Sequence, residues 1–186
     1  MNKTLHIIHN RRSIRNYTPD QIHEEDLQAI LDAAIYAPNA MNMQKWHFSV
    51  IQSQSLLDRI VNTIRENMPA TGVPMLIERA KDPEYHTFYH APTVVMISGD
   101  KSAQHIGIDC GAAAQTMALA AESINIGSCL IASSALLFIG GSAAAYKKEL
   151  GIPEGYDHIL SVALGYKASE APKAPERNKE VFKYIK

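Results

Sequence analysis

Cysteine is scarce in this chain of 186 residues, and Cys110 and Cys129 fall in no CxxC or Cys/His ligand spacing. Neither a disulfide framework nor a zinc site is implied. The eight histidines are scattered from His6 to His158 without an HExxH pattern, so no metal is expected. There is no GxxxxGK[ST] loop, no GxGxxG turn, and no Ser/His/Asp or Cys/His set visible from spacing. Charge of one sign is missing too. Lys and Arg number 18 against 19 Asp and Glu, a net charge of −1, which argues against general nucleic-acid binding. No long apolar run occurs either. The most apolar stretch, 106–121, is interrupted by Asp109 and Gln115, and the first residues lack the apolar core of a secretory leader. The expectation is a soluble, cytoplasmic protein with no nucleic-acid and no membrane partner.

What is present is local. Arg11, Arg12, Ser13 and Arg15 place three guanidiniums and a hydroxyl within five residues, just after the amphipathic run Leu5-His6-Ile7-Ile8. Guanidinium forks match phosphate oxygens bidentately and stay charged near neutral pH. The cluster reads either as an anion site or as a solvated basic helix end.

The spacing predicts a helix over about 23–36, with Glu24, Glu25 and Asp26 in its first turn and Leu27, Ile30, Leu31, Ala34 and Ile35 on one stripe. Pro38 ends it. The loop from Asn39 to Lys45 is rich in side-chain amides (Asn39, Asn42, Gln44), which suit the edge of a heterocycle carrying donors and acceptors together. Trp46–Ile51 alternates as a strand, and 54–67 carries helical periodicity.

Residues 68–91 are punctuated by Pro and Gly, and Tyr85, Phe88, Tyr89 and His90 follow closely. This segment reads as a mobile flap carrying aromatic rings over a substrate, or as a plain surface subdomain. Thr93–Ser98 is a β-branched run fit for a central strand. The longest helix is predicted over 104–125. Its ridge of Gly107, Gly111, Ala114, Ala118 and Ala121 admits a close neighbour, either a core helix or a dimer partner. A turn at 127 leads into an extended segment to Ile131, a short helix covers 142–150, and 158–166 reads as the last central strand. Gly165-Tyr166-Lys167 with Arg177 places a second basic group near that strand's end. The Pro-rich tail 171–186 ends in the alternating Val181–Ile185, able to add to a sheet edge of this subunit or another. Helices alternate with strands, so the class is α+β or α/β in one domain over 1–186.

Four motifs stand in order: Arg11-Arg12-Ser13-Ile14-Arg15-Asn16-Tyr17; Ala37-Pro38-Asn39-Ala40-Met41-Asn42-Met43-Gln44-Lys45-Trp46-His47-Phe48; Asp109–Gln115 with Gly127-Ser128-Cys129; and Gly165-Tyr166 with the tail. Together they resemble the nitroreductase family of FMN-dependent oxidoreductases, over nearly the whole chain. The resemblance implies an α+β homodimer with a central, mostly antiparallel sheet and FMN sites between the subunits. By position, Arg11, Arg12, Ser13 and Arg15 hold the phosphate and ribityl chain, with Arg177 and Lys173 approaching the same phosphate. Asn39, Ala40, Asn42 and Gln44 line the isoalloxazine, partly from the other subunit, and Ile131 packs against it, with Gly165 beside the site. The implied activity is hydride transfer from NADH or NADPH through the flavin to nitroaromatics, quinones or a related acceptor. A dehydrogenase or flavin-consuming enzyme with a non-nitro substrate, and a non-catalytic flavin- or anion-binding protein, are the alternatives. No side chain is assigned acid/base work, because the cofactor carries the chemistry. Family members often have Pro-Trp where this chain has Lys45-Trp46, and 68–91 is variable, so substrate choice does not carry over.

Overall fold

The computed structural model describes residues 1–186. The sheet contains β1 (Trp46–Ile51), β2 (Thr93–Asp100), β3 (Ile126–Ile131) and β4 (Tyr156–Tyr166), in the order β1-β2-β4-β3, every pair antiparallel. The class is therefore α+β. Val95 faces Val162 in the central pair, and a register shift falls between Ile97 and Ser98. β2 is buried from Thr93 to Gly99, as its unbroken apolar run requires of a strand covered on both faces.

One face carries α3 (Gln54–Asn67), α4 (Pro74–Lys81) and α6 (Ala143–Glu149). The Ser53 hydroxyl caps α3 by accepting the Leu56 N–H, and Leu57, Ile60, Val61 and Ile64 form its inward stripe. Each such side chain contributes about 1.5–3 kcal/mol by leaving water. The other face carries α2 (Glu24–Ile35) and α5 (Ile106–Ser123). Ala114 and Ala121 of α5 meet Leu27, Ile30 and Ala34 of α2 in this second core, so the small-residue ridge is partly spent on a core helix. Its other end differs. A Cβ added at Gly107 or Gly111 would meet nothing within 4 Å, and Ile108 is 72% exposed. Helix α1 (Lys3–Asn10) buries no residue fully and leaves Leu5 and Ile8 exposed.

Residues 68–91 hold regular structure, as the surface-subdomain reading allows: a 3-10 turn spans Met68–Thr71, α4 follows, and both Met68 and Phe88 have no exposed surface. The Pro and Gly residues punctuate short helices, with Pro74 at the first position of α4. Phe88 is thus a core residue. Residues 126–131 form β3 with no separate turn at 127, because Gly127 pairs with Gly165 across the sheet. The tail from Ser169 onward is exposed and pairs with no strand of its own chain. No helix is long and apolar enough to cross a membrane.

Candidate functional site

The arginine cluster is placed by the extended stretch that follows α1. Ser13 bridges to Ser128 in parallel, the Ile14 N–H donates to the Ser128 carbonyl at 2.9 Å, and Tyr17 bridges to Lys167. Ile14 and Tyr17 point into the core, and the Tyr17 hydroxyl donates to the Ile14 carbonyl at 2.7 Å. Arg15 and Asn16 between them are exposed. The close approach rests on small residues. A Cβ at Gly127 would sit 3.0 Å from Ile14 Cγ2, and one at Gly165 would sit 2.7 Å from Pro92 Cδ and 2.9 Å from Tyr17 Cδ1. Gly165 thus packs under Pro92 and Tyr17.

Arg11, Arg12 and Arg177, with Ile8, His9 and Ala174, line a hollow of about 310 Å³. Ser13, Arg15 and Asn16 face a second hollow of about 260 Å³, closed by Ser169, Glu170 and Pro172 of the tail. Lys173 lines neither. None of Arg11, Arg12, Arg15 and Arg177 has a carboxylate within ion-pair distance, whereas Lys45, Arg59, Lys81, Lys147 and Lys167 each have one. Arg12 donates through Nη1 to the His9 and Arg11 carbonyls, both at 2.7 Å, while its Nε is buried without a partner. A buried N–H left unmade is costly, and guanidiniums without counter-charge repel one another. A phosphate in the hollow answers the second. The residues present fit an anionic, phosphate-bearing group.

Burial pushes the Cys129 thiol up, against the opposing pull of Arg15, Ser13 and Arg11, which places these three around one point of β3. Burial likewise pushes Cys110 up to about 12, so neither thiol is a nucleophile. The end of β3 differs from expectation. Ile131 is 5% exposed and belongs to the core, whereas Leu130 faces outward at 36%. The alternation of a strand running out of the core was the available signal.

The amide loop is built by internal hydrogen bonds. Asn39 Oδ1 accepts the Gln44 N–H at 2.9 Å, so Asn39 holds the loop and leaves Asn42 and Gln44 exposed. The Ala40 N–H donates to Asp109 Oδ1 at 3.1 Å, tying the loop to the first turn of α5. Asp109 is 7% exposed and sits where a helix dipole favours an anion. Its anchoring role was not legible from the sequence beyond its place in the longest helix. Met41, Asn42 and Gln44 take φ of +54°, +53° and +51°, each costing about 1–2 kcal/mol outside glycine. Met41 is 90% exposed. Lys45 is tied to Asp100 at 2.6 Å, and this bond holds the Asp100 carboxyl down at about 2. Lys167 is paired with Glu122 at 3.0 Å and adds no free charge to the cluster.

The turn at 86–90 meets the cluster. Arg15 Cζ lies 5.7 Å from the centroid of the Tyr89 ring, and hydrogen bonding to the Tyr89 side chain is the main influence holding the Arg15 guanidinium above its ordinary value. Tyr85 and His90 instead line a hollow of about 330 Å³ with Asp58, Asn62, Arg65 and His86.

The two halves do not meet within one chain. Trp46, which follows the amide loop, is level with Asp157 on β4, whereas Ser128 beside the arginines is level with Leu164. Three strand spacings across and seven residues along β4 separate them by about 27 Å.

A chain with this sheet, this arginine cradle and this strapped tail has relatives. The family model described as the Nitroreductase family matches residues 8–166. The chain belongs to the nitroreductase family. A protein of Archaeoglobus fulgidus that bears the name NADH dehydrogenase/NAD(P)H nitroreductase is 31% identical over 177 residues, covering 91% of this chain and 88% of its own. Among solved structures, a nitroreductase with bound FMN from Bacteroides fragilis superposes with a TM-score of 0.94 at 34% identity, over all of both chains. One from Desulfitobacterium hafniense, also with bound FMN, gives 0.91 at 32%, again over both chains.

Proposed function

We propose that this chain is an FMN-dependent oxidoreductase that uses NADH or NADPH to reduce nitroaromatics, quinones or a related small acceptor. The observation that carries the reading is the hollow ringed by Arg11, Arg12 and Arg177, with no carboxylate paired to any of them. These three residues hold the phosphate, and Ser13 with Arg15 continues the donor line along β3. Held there, FMN would supply hydride transfer between the nicotinamide and the acceptor. Arg15 presents a fixed positive charge on the same side and favours negative charge developing near it. Leu130, exposed at the end of β3, offers an apolar surface that excludes water.

The working unit is a homodimer. Trp46 at the end of the amide loop and Ser128 beside the arginines lie about 27 Å apart across the sheet of one chain, so one site takes its arginines from one copy and its amide loop from the other. Exposed Leu5, Ile8 and Ile108, the open Gly107 and Gly111, and the tail residues Val181, Phe182, Tyr184 and Ile185 supply the apolar surface for that contact. The test is an anaerobic titration of the purified protein. The expected result is yellow protein releasing FMN on denaturation, bleached by NADH or NADPH and recoloured by a nitroaromatic or quinone. Protein that takes up no added FMN, or whose flavin neither nucleotide bleaches, contradicts the reading.

A further inference from the structure

Two consecutive non-glycine residues, Tyr89 and His90, take φ of +55° and +57°. Strain of this kind persists only where the surroundings over-determine it. Here one imidazole does so. His86 Nδ1 accepts the Phe88 N–H at 3.2 Å and the His90 N–H at 3.1 Å, while the His86 carbonyl accepts the Tyr89 N–H at 3.0 Å. Phe88 anchors the turn with no exposed surface, and the His86 and His90 rings lie 4.0 Å apart. Because Nδ1 takes two donors it carries no proton, so the proton sits on Nε2, which is buried without a partner. A metal at Nε2 is excluded, since it would need that nitrogen's lone pair while the backbone occupies the other. The product of the strained turn is the place of Tyr89, whose ring faces the Arg15 guanidinium at 5.7 Å.

We propose that His86 is a positioning residue for the flavin site: its Nδ1 holds the 87–90 turn so that the Tyr89 ring braces Arg15 toward the cofactor. This rests on the FMN reading above. His86 touches no part of the arginine cradle and acts through Tyr89, which acts through Arg15. A purely structural His86 would instead weaken the protein generally, without any dependence on the Tyr89 ring.

The experiment is a double-mutant cycle on the full chain, read as FMN affinity from flavin fluorescence quenching, with amide exchange of the apoprotein over 86–91 in parallel. His86→Ala removes the acceptor, His86→Asn keeps a side-chain acceptor, and Tyr89→Asn removes the ring with a residue that tolerates positive φ. His86→Ala and Tyr89→Asn are each expected to weaken FMN binding about fivefold, the scale of one cation–π contact. His86→Asn should retain most of the affinity. In the Tyr89→Asn background, His86→Ala should cost nothing further in FMN binding, although exchange at Phe88 and His90 still rises. Equal losses in both backgrounds, or wild-type affinity in Tyr89→Asn, overturn the proposal. If His86→Ala fails to fold, His86→Asn takes its place in the cycle, and wild-type affinity in Tyr89→Asn still overturns the proposal. A wild-type protein that takes up no FMN refutes the site reading itself, and the proposal with it, before any variant is made.

Discussion

Acid should unfold this protein through His158, by an amount that follows from its surroundings. The Ser134 hydroxyl donates to the Ile131 carbonyl at 2.9 Å, so the His158 Nε2–H donates to Ser134 Oγ at 2.8 Å, and Nδ1 is left buried without a partner. Phe138 packs on the ring with centroids 5.2 Å apart, and Lys147 and Asp157, paired with each other, share the adjoining hollow. Burial holds His158 at about 4, below the ordinary 6.5. The unfolded chain therefore takes up a proton near pH 6.5 that the folded chain refuses until about pH 4. Stability is full above the unfolded value and is lost as pH falls toward the folded one. The loss works out at about 2 kcal/mol by pH 5 and about 3 kcal/mol by pH 4. His86, also held at about 4 by burial and by His90, with Asp58 pulling the other way, adds a loss of the same sign. The assay is urea unfolding between pH 4 and 7.5 at fixed ionic strength and protein concentration, comparing wild type with His158→Gln. Glutamine can still donate to Ser134 but cannot titrate. It should cost about 1 kcal/mol at pH 7, and the gap to wild type should close and reverse by pH 4. Parallel pH profiles for the two proteins would refute the reasoning.

Other predictions follow from the same geometry. Arg11→Ala or Arg15→Ala removes a charge-assisted contact of about 1.5–3 kcal/mol and should weaken FMN binding by roughly 10- to 150-fold; full occupancy in both variants at low FMN would show that the phosphate lies elsewhere. Gly165→Ala forces a Cβ against Pro92 Cδ at 2.7 Å and Tyr17 Cδ1 at 2.9 Å, and should destabilise by about 1–3 kcal/mol. An unchanged melting temperature would mean that the strand yields at this point. Phe88→Ala should cost about 3–5 kcal/mol in chemical unfolding, as a core position does. A loss below 1 kcal/mol would restore it to a mobile surface segment.

Much of the fold was legible because period and punctuation agreed. Helix α3 begins and ends where Ser53 caps it and its stripe runs out, and the β-branched run at 93–98 became the buried centre of the sheet. The 68–91 segment stayed open between two readings because Pro and Gly mark the starts of short helices as well as loops, and composition does not reveal that Phe88 anchors inward. At the site, the arginine cluster was visible because like charges crowded at close spacing lack a local answer. The roles of Gly165 and Ile131 were not, since whether a residue faces a neighbour or a ligand depends on pairing across the sheet. Asn39 and Asp109 were hidden for a similar reason. Each makes one hydrogen bond whose partner is set only by the folded path of the amide loop.

The central claim is that one cofactor site needs arginines from one copy and the amide loop from another, and mixing two defective chains tests it most directly. One chain carries Arg11→Ala with Arg15→Ala, the other carries Asn42→Leu with Gln44→Leu, and each alone should bind little FMN. Co-refolded at equal amounts, half the dimers are mixed, and each mixed dimer regains one intact site. FMN occupancy should then rise to roughly a quarter of the wild-type level. Occupancy that stays at the level of the separate variants would contradict a site shared between subunits.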